Sequence, residues 1–128
     1  MNVTLELSEL QLAVMRVLWQ KSRATVADVQ EALEPERGLA LTTVATVLTR
    51  LEKAGLVAHR PSGRHYVYRP LVSEEEVRRS MVSALAERLF EGDVAALVSH
   101  LVNAREIQPG DLARVKQLIE AKEREGKR

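Results

Sequence analysis

The chain has 128 residues with a formal net charge of +1 at pH 7; 45% of them are hydrophobic, 3% are aromatic and none is cysteine. That length fits one compact domain, or a small domain plus an appendage that needs a partner to bury its apolar face, and we favour the second. Without cysteine there is no disulfide framework, thiolate metal site or cysteine nucleophile, and no signal peptide or membrane-spanning pattern is present, so we expect a cytoplasmic protein.

Positive charge is concentrated in one short part of the chain. Residues 1–36 hold three Lys or Arg against six acidic residues, a net charge of −3. Residues 37–70 hold six cations against one glutamate, a net charge of +5, whereas from residue 71 onward ten cations meet eleven anions. The near-neutral total therefore hides a polarised surface.

Two helices open the chain. Ser8 and Gln11 match a capping box, which predicts the start of the first helix. Thr25 is the predicted cap of a second helix through Glu34, which Pro35 and the glycine at 38 should stop. Together with the turn that follows, they predict a helix-turn-helix unit. The predicted inward stripes are Leu10, Val14, Val17 and Leu18, then Val26, Val29 and Leu33.

The segment TTVATVLTRLEKAG, from Thr42 to Gly55, carries the strongest signal. Its first six residues are β-branched enough to favour a strand. The apolar positions nevertheless recur at three and four residues, so we predict a helix capped by Thr42 and ended by Gly55. Its apolar stripe is Val44, Val47, Leu48 and Leu51.

The opposite face of this helix suits DNA. Short side chains in its first turn would let it approach base edges, and the later Arg50 and Lys53 would reach phosphates or a guanine edge. The alternative is an ordinary amphipathic helix whose polar face meets water, and Thr42 could serve only as a cap. The predicted DNA contacts are Thr42, Thr43, Ala45, Thr46, Thr49, Arg50, Lys53, Arg60 and Arg64.

A β-hairpin is predicted next, with strands over Leu56–Arg60 and His65–Arg69. A two-residue connection, Ser62-Gly63, would place Arg60 opposite His65 and His59 opposite Tyr66. With Arg60, Arg64 and Arg69 it would form a basic wing, although solvated hairpin charges are the simpler alternative. At least one of Tyr66 and Tyr68 should pack in the core, as should Trp19.

Three further helices follow the wing. Ser73 and Glu76 form a second capping box for a helix to about Phe90, and a fifth helix runs from Asp93 to about Arg105. Pro109 begins the sixth. These helices expose more Leu and Val than they can cover, so we predict a homodimer. The predicted dimerisation residues are Met81, Leu85, Leu89, Val94, Leu97, Val98, Leu101, Leu112, Val115 and Ile119.

The predicted fold is mainly α, with a winged helix-turn-helix DNA-binding domain at 1–71 and a helical dimerisation domain at 72–128. Two recognition helices roughly 34 Å apart would then read an inverted repeat. No nucleophile elbow, phosphate loop or paired-carboxylate motif is present, so we predict no catalysis and no cofactor. His59, His65 and His100 have no cysteine partners, and no metal site is predicted.

Four strings, in this order, resemble the penicillinase and methicillin-resistance repressors and the copper-responsive repressors grouped with them (BlaI/MecI/CopY-type regulators). Three of them are the segments LSELQLAVMRVLW, TTVATVLTRLEKAGLV and GRHYVYRPLVS, and the fourth is the helical carboxy-terminal third of the chain. The resemblance implies a winged-helix domain, a dimerisation domain and repression at dyad-symmetric operators on double-stranded DNA.

Two departures from this family limit what the resemblance carries over. Its copper-responsive members share a carboxy-terminal cysteine cluster, which this chain lacks. Its antibiotic-responsive members are cut at an Asn-Phe bond by a sensor-protease pathway, and the similar position here reads His100-Leu101, which leaves cleavage control open. The alternative function is a winged-helix module that binds an acidic protein.

Overall fold

A computed structural model describes residues 6–104 and 107–126 of the chain. As predicted, the fold is mainly helical with one β-hairpin. The chain divides into two compact units between Ala84 and Leu85. The elements are α1 (Glu9–Lys21), α2 (Val26–Arg37), α3 (Leu41–Lys53), β1 (Val57–Ser62), β2 (His65–Pro70), α4 (Glu74–Phe90), α5 (Val94–Asn103) and α6 (Pro109–Gly126).

The predicted caps of α1 and α2 are confirmed. Ser8 Oγ accepts from the Gln11 backbone N–H at 3.1 Å, and Gln11 Oε1 accepts from the Ser8 N–H at 2.9 Å. Thr25 forms the same reciprocal pair with Asp28. The hydrogen bonds that the Asp28 carboxylate accepts from Thr25 lower its pKa. Each box satisfies backbone donors that the first helical turn leaves without a partner.

The predicted end of α2 is wrong. The helix continues through Pro35 to Arg37, and Gly38 is its C-cap. Arg37 Nη2 lies 2.8 Å from Glu9 Oε1 at the start of α1, which ties down the turn that proline weakens. The connection to α3 is consequently only three residues, a tight helix-turn-helix turn.

The core of the first unit lies where α1, α2, α3 and the hairpin meet. Most of the predicted stripes are buried, including all four residues of the α3 stripe, while Leu10 and Val26 are half-buried. Trp19 packs against this core, and its Nε1 donates to the Val72 carbonyl at 2.9 Å. The buried core residues are Ala13, Val14, Met15, Val17, Leu18, Ala24, Val29, Leu33, Val44, Val47, Leu48, Leu51, Leu56, Val57 and Tyr68.

The predicted hairpin register is wrong by one residue on each side of the turn. The strands extend to Ser62 and His65, which face each other, so the connection is Gly63-Arg64. Gly63 has φ +63°, the left-handed region that a glycine at the first position of such a turn readily adopts. Pro61 is tolerated in β1 because the strand has one neighbour only and needs no donor on its free edge.

The second unit contains the end of α4, then α5 and α6. The predicted cap at Ser73, on the first-unit end of α4, is confirmed, and Asp93 Oδ1 caps α5 by accepting from the Ala96 N–H at 3.0 Å. Pro109 begins α6 as predicted. Arg105, the predicted end of the fifth helix, lies outside the described residues. No residue described in α5 or α6 is buried.

Candidate nucleic-acid interface

The outer face of α3 is open along its whole length. Thr42, Thr43, Thr46, Thr49, Arg50 and Lys53 are all exposed, and Ala45 is half-buried. The prediction that Thr42 caps the helix is wrong, because the N-cap is Ala40, two residues earlier, and it makes no side-chain cap bond. The Thr42 hydroxyl therefore lies within the first turn and is not used as the cap.

The two central threonines hold a fixed orientation on this face. Thr46 Oγ1 donates to the Thr42 carbonyl and Thr49 Oγ1 donates to the Ala45 carbonyl, each at 2.9 Å. A hydroxyl that donates backward in this way keeps its lone pairs for an incoming donor. In this arrangement each threonine hydroxyl offers an acceptor, which suits an amino group of adenine or cytosine. The methyl group of the same side chain lies beside it.

The cations of this face are not neutralised by neighbours. Within residues 6–104 and 107–126, neither Arg50 nor Lys53 forms an ion pair. Glu52, the single acid of residues 37–70, is instead held by His59 of β1. Its Oε2 lies 2.6 Å from His59 Nδ1 and accepts from the His59 backbone N–H at 3.1 Å. That contact fixes the wing against the last turn of α3.

The wing carries exposed arginines at its tip and along its strands. Arg64 is in the turn itself, and the register places Arg60 and Arg69 on one face of the hairpin. The other face carries His59, whose ring centroid is 4.7 Å from that of Tyr66 and 5.4 Å from that of Tyr68. Tyr68 is buried, as expected for one of the two tyrosines, and this burial raises its pKa.

All nine predicted DNA-contact residues lie in the first unit, on α3 and the adjoining wing. Arg37, which the sequence counts with the positive segment, is occupied by Glu9 instead. His59 and His65 are on opposite faces of the hairpin. Among the described residues, no group of three or more His, Cys, Asp or Glu side chains is placed to hold a metal ion.

The order of these elements and the exposed α3 face are those of a winged helix-turn-helix, and the model of the penicillinase repressor family matches residues 7–121. The chain belongs to the penicillinase repressor family. The transcriptional regulator BlaI of Mycobacterium tuberculosis is 42% identical over 98 residues, which cover 75% of this chain and 71% of that protein.

Two solved structures of BlaI are similar to part of this penicillinase-repressor family member. The solution structure of the BlaI DNA-binding domain is 32% identical with a TM-score of 0.52, covering 59% of this chain and 93% of that one. Bacillus licheniformis BlaI, solved as a monomeric form with the blaP half-operator, shows the same identity and coverages with a TM-score of 0.50. Both confirm the winged-helix fold.

Sequence reasoning missed two residues beside the interface of this penicillinase-repressor family member. Leu41, in the first turn of α3, is 52% exposed although its spacing from Val44 and Leu48 matches the buried stripe. His65 lies across a groove from it, at the end of the wing. The sequence predicts Thr42 as the cap and so leaves Leu41 outside the helix, and nothing in the pattern indicates that this leucine lies exposed on α3.

Proposed function

We propose that this BlaI-type DNA-binding transcriptional repressor works as a homodimer that occupies a dyad-symmetric operator and so denies polymerase access to a promoter. The observation that carries this proposal is the open face of α3, with short side chains first and unpaired cations later, flanked by a basic wing. The family indicates the regulatory class, and the geometry of this face supports the proposed mode of contact.

The length of each side chain on this face determines which part of the DNA it would contact. Thr43, Thr46 and Ala45 keep the first two turns of α3 slim enough to enter the major groove, where base edges carry the sequence information. Arg50 and Lys53, one turn later, extend far enough for phosphates or a guanine edge. Arg60 and Arg64 on the wing would contact the backbone beside the groove. Thr42, in the first turn of α3, would also contact the DNA backbone.

The surface of the second unit supports dimerisation. Seven of the ten residues of α5, VAALVSHLVN, are apolar, yet none of its residues is buried. On α6, a shallow trough of about 400 Å³ is lined by Val115, Leu118 and Ile119. Such a concentration of exposed apolar side chains is unusual for a free monomer and supports the proposal of an interaction surface. The proposed contacts are Met81, Leu85, Leu89, Val94, Leu97, Val98, Leu101, Leu112, Val115 and Ile119.

A second copy is the occupant that fits the function. An isologous interface repeats the same patch on both subunits, so one set of exposed residues covers itself. It also places two reading faces in two-fold symmetry, which an inverted repeat on DNA matches. We retain 1–71 as the proposed DNA-binding domain and 72–128 as the proposed dimerisation domain of a cytoplasmic protein. No described helix is both long and apolar enough to cross a membrane.

A footprint on the protein's own promoter tests the proposal. The full chain should protect a dyad-symmetric segment, and Arg50→Ala should weaken binding there by a factor of about 5 to 150 if its contact is a bidentate base contact. Arg79→Ala on α4 removes the same charge away from this face and is the matched control. Lack of protection, together with binding to an acidic protein that duplex DNA does not compete away, would support the interaction-module alternative instead.

A further inference from the structure

An apolar groove opens beside the proposed DNA-reading face. Its volume is about 320 Å³, and its walls are almost entirely apolar. The groove is shared by three elements of the first unit. It is lined by Val26 and Ala27 of α2, by Leu41, Thr42 and Ala45 of α3, and by His65 of the wing.

We propose that this groove, with Leu41 as its main contact, is a specificity site that receives the C5-methyl group of a thymine. The inference rests on the proposed function, because it names a base that the same face would read. Leu41 is 52% exposed on a helix whose other aliphatic stripe residues are buried. About half of the Leu41 surface is therefore available for contact with a base.

The groove adjoins the cationic outer face of α3, which indicates that its occupant is DNA. Thr42 and Ala45 belong both to the groove and to the proposed contact set, so a duplex seated on α3 covers the groove at the same time. The cations that would hold the polyanion, Arg50, Lys53 and Arg64, lie on the same helix and the adjoining wing. The methyl group of thymine is the apolar feature that a base pair presents in the major groove, and aliphatic side chains recognise it by contact.

The small size of Ala45 is consistent with this role. A longer side chain there would fill the space between α3 and the wing, since Ala45 and His65 both line the groove. Alanine leaves that space open and adds a methyl surface to the wall. The groove would then distinguish thymine from cytosine, which lacks the methyl group, without any hydrogen bond.

Replacing thymine by deoxyuridine tests the inference, because it removes only the methyl group and keeps the base pairing. The probe is a duplex selected by the full wild-type chain from a random library, in which each thymine of one half-site is replaced in turn. We expect one position at which the replacement weakens wild-type binding about fourfold, the factor for roughly one buried methyl group. Leu41→Ala should bind the two duplexes equally, whereas Leu41→Met should keep the preference.

Leu71→Ala is the matched control, because Leu71 is 47% exposed in the same unit and lies outside the groove. It should retain the full thymine preference. If Leu41→Ala keeps the same preference as wild type at every position, or if no thymine replacement affects wild type, the groove does not read the methyl group. If instead the wild-type chain selects no duplex at all, the proposed function itself fails.

Discussion

Removal of the Arg64 side chain should reduce the salt dependence of operator binding by a defined amount. Arg64 lies at the tip of the wing, is exposed, and forms no ion pair with the residues that the structure describes. Arg64→Ala should therefore change the free energy of unfolding by no more than about 0.5 kcal/mol. Any larger effect on DNA affinity then reports a lost contact with DNA.

The size of the effect follows from counterion release. Each phosphate contact contributes about 0.9 to the slope of log affinity against log salt, so a dimer that loses two contacts should lose about 1.8. At 0.15 M salt this corresponds to about fivefold per contact, or about 30-fold for the dimer. Fluorescence anisotropy with a labelled operator, measured at several salt concentrations, gives both the slope and the affinity.

A second variant that removes one positive charge elsewhere distinguishes a local phosphate contact of Arg64 from a general effect of net charge. Arg79→Ala lowers the net charge equally, but Arg79 lies on α4 and is paired with Glu75 at 3.2 Å. Its slope should stay at the wild-type value. If Arg64→Ala leaves the slope unchanged, or if both variants lower it equally, the wing does not contact phosphates in the way proposed.

Two other predictions concern assembly and acid stability. Ile119→Glu, at a proposed contact that is 51% exposed, should convert the dimer to a folded monomer in analytical ultracentrifugation. Leu71→Glu, at a residue that is 47% exposed and outside the proposed contacts, should leave the dimer intact. A dimeric Ile119→Glu chain would place the interface elsewhere. The lowered pKa of Asp28 means that its bonds to Thr25 stabilise the fold above the unfolded pKa of about 3.9 and lose that effect as pH falls through the folded value. Asp28→Asn should therefore lower the melting temperature at pH 6 more than at pH 3, and an equal loss at both would refute this linkage.

Local signals in the sequence were sufficient for most of the fold. The capping box at Ser8 and the cap at Thr25 involve residues three apart, so their chemistry is visible without knowledge of the tertiary structure. The same holds for the 3.6-residue period of α3 and for Gly55, which has φ +81° after the helix ends. Each of these was read correctly because the residues that decide it are neighbours in the chain.

The sequence misplaced the end of α2 because a distant contact decides it, and it misplaced the hairpin register because two adjacent pairs of residues could form the turn. Arg37 of α2 forms an ion pair with Glu9 of α1, and this contact stabilises the last turn of α2. That turn follows Pro35, a residue that on sequence alone predicts the end of the helix. The hairpin register depends on which residues take the turn, and Pro61 proved compatible with an edge strand. The contact between Glu52 and His59 joins a helix to a strand across the intervening turn, which no periodic pattern reveals.

The sequence was sufficient to predict which face of α3 forms the candidate interface, but not the exposure or orientation of individual side chains on it. Charge and spacing identified the outer face of α3, because exposed and buried residues alternate there with a helical period. They did not show that Leu41 remains exposed, since its position in the stripe depends on whether another element covers the first turn. They also did not show that the hydroxyls of Thr46 and Thr49 are turned back toward backbone carbonyls.

In the proposed complex, two copies of the outer face of α3 and its wing bind a single DNA duplex. Because the chain has no cysteine, Ser62→Cys on the wing provides a single attachment point for an iron-based DNA-cleaving reagent. Bound to the operator, the labelled chain should cut at two positions placed symmetrically about the dyad, one for each wing. Cleavage at one side only, or cuts without symmetry in the presence of full binding, would contradict the account.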